Sequence, residues 1–499
     1  MQKIQFFILG ALLILSCFLA CNDHFEDYSD NPQDCLAFST DTLSFDTVLT
    51  TVNSPMKAFM VYNPNKKPLL ISSIRLAEGA NSKFKINVDG FAGSDFKDIE
   101  IRGNDSLYIL VDVKPVETGQ ATPAPFYDYI VFTTHQSVQQ EVVLQAYGQD
   151  VYKHRDLVLD KDTILSNFKP FLIYDSLVVS EGVTAEIQEG TTFYMGNNAQ
   201  VIVYGTLKIR GTTDKPVVFR GNRTDNMLIY PYDLIPGQWG GICFDSLSYE
   251  NEFENVHIRN GEFGIWFKTS EPDRKKITMK NVRLTNVSGV LFQAINCDIT
   301  AENCEFSNAK DYLLALGGGR YQFTHCTIAN YYPKLNPEAG WGVGDNGTVY
   351  LTDEVVSEGD SSEHYPVLGF EVSNSIIAGH KPTSEIVIDL KEEPSGPIYF
   401  LNCVFTNKQA DKDYINYTDC ITEAKADSLF KKVDYLDEKD DFWPVYDFRL
   451  LEKSPARNVA NLDISKQIPM DIKGVNRLED ELPDAGAYEY VAESEPDQK

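Results

Sequence analysis

The side chains best suited by type to hold a ligand in this sequence form a short basic set and a small aromatic one. Arg259 and Arg283, with His257, could contact an anionic glycan, because a guanidinium presents paired N–H donors to a carboxylate. Tyr331, Tyr332 and Trp341 offer flat apolar faces of the kind that stack on sugar rings. Asp345-Asn346-Gly347 could lend oxygens to calcium, although Asp-Asn-Gly is first of all a turn. The same residue types also have plainer uses. Arginines at strand edges are commonly solvated charges, and loop aromatics pin loops to a scaffold; Trp239 and Trp266 read as packing residues.

Whether such residues converge depends on the elements that carry them, and here the chain repeats itself. Six copies of one pattern begin at Phe253, Met279, Ala301, Phe323, Val372 and Phe400, at separations of 26, 22, 22, 49 and 28 residues. Two residues into each copy stands Asn255, Asn281, Asn303, His325, Asn374 or Asn402, residue types that suit a tight left-handed corner. The next strand alternates. Val256/Ile258, Val282/Leu284, Cys304/Phe306, Cys326/Ile328, Ser375/Ile377 and Cys403/Phe405 point one way, and His257, Arg283, Glu305, Thr327, Ile376 and Val404 the other. A unit of about 22 residues cannot bury its own apolar face, so coils must stack, and equal positions form files along the axis. Corner amides are expected to hydrogen-bond to one another. The 49-residue interval is either a lateral loop or a divergent coil with loops.

Composition bounds the rest. The 499 residues leave room for two or three domains, and 43% hydrophobic content supports large cores. A net charge of −29 argues against a nucleic-acid partner, since nothing neutralises phosphates. Seven cysteines follow the N-terminal region. Cys304 and Cys326 share a register on neighbouring coils, about 4.8 Å apart, which is wide for a disulfide, so they read as buried thiols.

The N-terminus carries Lys3, an apolar run from Phe6 to Ala20 and then polar sequence, which reads as a secretory signal too short to span a bilayer. Phe18-Leu19-Ala20-Cys21 resembles the bacterial lipobox, and Asp23, Glu26, Asp27 and Asp30 resemble the acidic tether of surface lipoproteins from Bacteroides-like bacteria. The resemblance implies lipidation at Cys21 and anchoring in the outer membrane of the cell envelope, facing either the surface or the periplasm. The expected organisation is a signal at 1–20, a tether at 21–35, a β-sandwich at 36–150, a β-helix with closing segment at 151–490 and a disordered tail at 491–499.

Short alternating runs such as Lys57 to Tyr62, Ser106 to Val113 and Gln140 to Tyr147 predict the sandwich. Asn63-Pro64-Asn65, Val111 to Pro115 and Val143 to Gly148 resemble immunoglobulin-like domains of the Hydin and major-sperm-protein type, which implies a spacer or a protein-binding module. Gln200 to Thr212, Pro216 to Phe219 and Gln238 to Ile242 resemble the opening coils of right-handed parallel β-helices of the pectin-lyase-like superfamily. Asp447 to Leu450, Asp471 to Gly474, Arg477 and Asp484 to Glu489 resemble the closing segment of bacterial β-helix surface proteins, with Arg477 expected as an ion-pair clasp over the last coil. The fold class is therefore all-β, an immunoglobulin-like sandwich followed by a single-stranded right-handed parallel β-helix.

Two chemistries follow from that resemblance. A polysaccharide lyase needs a basic residue and calcium-holding acids, and a glycoside hydrolase needs grouped carboxylates. The outward file from His257 to Val404 carries two basic residues and one acid, with neither set complete. The reading favoured is a lipid-anchored protein that binds an extended polysaccharide without a cofactor. The alternatives are a divergent lyase or hydrolase near Arg259, Arg283 and the 331–365 insertion, with calcium the one metal left open, and an adhesive protein with a protein partner.

Overall fold

The computed structural model describes residues 28–227, 230–332, 347–356, 362–379, 386–408, 412–433, 446–479 and 482–492. The chain divides into two compact units between Asp150 and Val151.

In the first unit, described from Tyr28, two five-stranded sheets face each other. One contains Lys57–Asn63 and Asp105–Val113, and the other Gln139–Gln149 and Ala124–Thr134. Strict alternation puts Phe59, Val61, Ile109, Val111, Ile130, Phe132, Val142 and Leu144 inward, where they form one core. Most pairings are antiparallel, while Thr42–Leu49 runs parallel to Gln139–Gln149.

The second unit is a parallel β-helix. From Tyr152–Leu159 to Ile415–Thr418, strands about one coil apart in sequence pair in parallel. Three sheets run along the axis. Sheet I includes Gln200–Val203, Gly241–Phe244, Ile265–Phe267, Phe292–Ile295, Leu314–Gly317, Val349–Thr352 and Ile386–Asp389. Sheet II includes Thr206–Arg210, Asp298–Glu302, Gly319–Thr324, Val367–Ser373 and Ile398–Leu401. Sheet III includes Val217–Gly221, Glu305–Ala309, Thr327–Asn330, Ile376–Gly379 and Val404–Phe405. Asn251–Arg259 and Lys275–Val287 bend through the corner and belong to both II and III.

The register is the one the repeat predicts. Arg283 pairs with Glu305 and Glu305 with Thr327, so Val282, Cys304 and Cys326, one residue earlier in each coil, stand in one file. All three are fully buried, and the cysteines are free. Aromatic rings stack along the interior in the same way, with Phe171, Phe193 and Phe219 centred 5.0 and 4.6 Å apart. Thr327 pairs with Ile376, so the 49-residue interval is a single coil. Its length goes partly into a hairpin, Glu354–Val356 with Ser362–His364, placed between its sheet I and sheet II strands.

All six predicted corners adopt positive φ, from 50° to 54°. Their amides do not form one continuous ladder. Asn281 donates to Asn255 at 3.2 Å, but the later corners are taken by a C-terminal strap beginning at Tyr446. Asn303 Nδ2 donates to the Met470 carbonyl, Asn374 Nδ2 to that of Asn461 and Asn402 Nδ2 to that of Val459, while His325 Nε2 meets Ser465 Oγ at 2.8 Å. The strap therefore lies along the side of several coils. Arg477, expected over the last coil, is fully buried beside the Asn303 corner. It pairs with Glu489 at 3.1 Å, whereas the Asp471 carboxylate accepts backbone N–H groups. The physical reason is the outer face of sheet III, which turns apolar at Ile376 and Val404 and needs a cover.

Candidate functional site

The outward file of sheet III runs in register through Val218, His257, Arg283, Glu305, Thr327, Ile376 and Val404. The strap covers much of it. Glu305 is buried and accepts from the Tyr488 hydroxyl, from Ser307 Oγ at 2.8 Å and from Arg283 Nε at 3.2 Å. Ala487 N–H donates to Thr327 Oγ1 at 2.9 Å. Burial, helped by the Arg283 charge, lowers the His257 pKa to about 4, so its ring is neutral at physiological pH. The adjacent Glu305 carboxylate pushes the Arg283 pKa further up.

The structure thus unites His257 and Arg283 but not Arg259. The Arg259 fork grips Asp233 through Nε at 3.1 Å and Nη2 at 2.9 Å, and Asp233 also takes Arg220 at 3.0 Å. This ion-paired group ties the loop after Gly221 to the coil wall. Tyr331 and Tyr332 require correction as sugar-stacking residues. Tyr331 is 1% exposed and packs on Phe430 and Phe448, and Tyr332 is buried as well. The apolar strap packs on the Tyr331 ring, while Tyr332 is buried with its backbone N–H on Asn330 Oδ1. Trp341, Asp345 and Cys21 lie outside the described residues. Among the described residues, no group of three or more His, Cys, Asp or Glu is placed to hold a metal ion.

A different face carries exposed aromatic surface. On sheet I the outward file is Val178, Ile202, Cys243, Trp266, Gln293, Ala315, Tyr350 and Val387. It holds no charged side chain. Trp266 is 42% exposed, and no described residue accepts from its Nε1. It is not the packing residue its sequence context suggested. Trp239 is, being 1% exposed with Nε1 donating to the Arg259 carbonyl at 2.8 Å.

Beside this file stand Phe263, Val290 and Tyr312, each two residues before the register-paired Ile265, Phe292 and Leu314. Phe263 is 38% exposed, and the Tyr312 and Tyr350 rings lie 5.2 Å apart. Trp266 and Tyr350 are three rungs apart, about 14 Å at the spacing of stacked strands. The hairpin strands Glu354–Val356 and Ser362–His364 lie at the opposite edge, where a Cβ at Gly317 would fall 2.6 Å from Val355 Cγ2. A Cβ at Gly318 would fall 2.4 Å from that of Tyr365, and this glycine also sits at φ +58°. Between the two edges lies a strip with ring faces for stacking, the Gln293 amide and the Trp266 indole N–H as hydrogen-bonding groups.

Sequence reasoning missed this strip because it read only the strands that follow the asparagine corners. Aligning the segments Ile242-Cys243-Phe244, Ile265-Trp266-Phe267 and Val349-Tyr350-Leu351 would have placed Trp266 and Tyr350 between two inward positions, hence outward.

A family profile described as right handed beta helix region matches residues 205–362, which gives the coils their hand. No curated protein matches the sequence. Among solved structures, a family 123 glycoside hydrolase from Clostridium perfringens is 10% identical over 23% of this chain and 25% of its own, with a TM-score of 0.16. The chain thus spans about a quarter of that enzyme's length. The PapD-like domain 7 of human CEP192 is 8% identical over 25% of this chain and 92% of its own, with a TM-score of 0.17. The periplasmic chaperone SfaE is 11% identical over 23% and 58%, also at 0.17. Scores this low carry no argument about activity.

Proposed function

We propose that this protein is a lipid-anchored component of the cell envelope that binds an extended polysaccharide along the outer face of sheet I. One observation carries the reading: solvent-facing Trp266, Phe263, Tyr312 and Tyr350 form an uncharged strip on a rigid, regularly spaced wall. A pyranose has an apolar face and a rim of hydroxyls. Stacked aromatics with a few amide and indole groups between them meet both needs, and the rung spacing of about 4.8 Å is close to the length of one sugar ring. Parallel files suit a chain rather than a compact molecule. The N-terminal lipobox-like sequence supports anchoring through Cys21. Binding rather than cleavage is favoured because this file lacks a carboxylate to act on a glycosidic bond.

The test is a glycan array on the protein and its Trp266→Ala variant, followed by product analysis on each hit. Polysaccharide retained by the parent, lost by the variant and recovered uncleaved is the expected result. Retention undiminished in the variant, or new reducing ends or unsaturated products, would sink the reading.

A further inference from the structure

We propose that the cleft between the strap and the outer face of sheet III is a second ligand site, built for a carboxylate-bearing sugar residue. The cleft has a volume of about 620 Å³, within the range of small-molecule sites. Arg283 comes from the coil wall, Lys431 from the segment leading to the strap, and Tyr446, Phe448, Lys473 and Tyr488 from the strap itself.

Its charges are not evenly available. Every acid on its walls is already engaged. Asp447 is gripped by Arg449 Nε at 2.9 and 3.0 Å. Asp471 accepts the backbone N–H groups of Lys473, Val475 and Glu489. Glu489 is held by Arg477 and by the N–H of Asp484, and Glu305 beneath by Tyr488, Ser307 and Arg283.

The cations are differently placed. Arg283 gives only its Nε to Glu305, and no described residue takes its Nη groups or pairs with Lys473 Nζ. An incoming carboxylate therefore meets a guanidinium edge and an ammonium, while the acids around it are already hydrogen-bonded or ion-paired from within. Beside them the half-buried Tyr446 ring, stacked on the buried Phe448 at 5.9 Å and 7°, offers a flat face for a ring. A cationic ligand would find no free carboxylate there, and a purely apolar one would leave the Arg283 edge and Lys473 unpaired. Carboxylate on a saturated ring satisfies both walls.

This site shares no residue with the strip on sheet I, so either can fail alone. The experiment is isothermal titration of the protein with a galacturonate trimer, its methyl ester and a neutral galactose trimer. Binding of the free acid only, weakened by salt and reduced at least tenfold by Lys473→Glu but unchanged by Trp266→Ala, is the result expected. Lys473 is exposed, so the variant should fold, and Lys473→Gln repeats the measurement without adding an acid. No binding of the free acid, equal binding of the ester, or undiminished affinity in both Lys473 variants would overturn the proposal.

Discussion

Asn374 at a coil corner and Asn461 in the strap, 87 residues apart, are joined as a strand pair would be. The Asn374 Oδ1 accepts the Asn461 N–H at 2.7 Å, and its Nδ2 returns a hydrogen bond to the Asn461 carbonyl at 3.1 Å. The side-chain amide mimics a peptide group, so one corner residue both turns its own chain and captures another.

Asn374→Ala should remove both functions. It loses the strap bonds and must hold φ near +50° without an amide, for a combined cost of about 3 kcal/mol. Asn374→Gly tolerates the corner and isolates the strap contribution, so it should fall between the two. Urea unfolding of the three proteins checks the order; an alanine variant as stable as the parent would contradict it.

Gly486 tests how closely the strap lies on sheet III. Its φ is +95°, and a Cβ there would come within 2.8 Å of Ile376 Cδ1 and 2.9 Å of Thr327 Oγ1. Gly486→Ala is expected to cost about 2 kcal/mol and to expose the strap to protease before the coils are cut. Limited proteolysis followed by mass spectrometry reads the order of cleavage.

Stability should decline as the pH falls below neutrality. Burial lowers the pKa of His325 well below its ordinary value, and that of His257 to about 4. Both are neutral when folded, while the unfolded chain takes up protons near pH 6.5. The loss therefore begins near 6.5 and, for His257, levels off near 4, with a slope of up to about 1.4 kcal/mol per pH unit for each histidine. Glu305, whose pKa is lowered, adds its own loss only once the pH falls into the ordinary carboxylate range and below it. Urea midpoints between pH 7 and 5 measure the effect, and His257→Gln should flatten part of it.

The two tryptophans among the described residues should part company under mutation. Trp239→Ala removes a buried ring and a hydrogen bond, at about 3 to 5 kcal/mol, whereas Trp266→Ala should cost under about 1 kcal/mol. Thermal or chemical unfolding separates them. A large loss at Trp266 would assign it to packing and remove it from the ligand strip.

The coil architecture was legible because stacking converts a linear period into spatial files. Once Asn255, Asn281 and Asn303 mark the corners, the inward and outward identity of Val282, Cys304 or Glu305 follows from alternation alone. The roles of the outward residues were not legible in the same way. Glu305 and Tyr488 are 183 residues apart, and nothing local to either announces the other.

By itself, the sequence determined the stacked coils, their corners, their register and the alternating sandwich strands, because each depends on side-chain period and local backbone preference. Only the tertiary structure decided which outward face stays open. The strap settles on sheet III because burying Ile376 and Val404 and engaging the corner amides are gains available only once the coils have stacked. That choice takes Tyr331, Glu305 and Thr327 into contact with the strap, sets Arg283 beside it, and leaves Trp266 facing solvent.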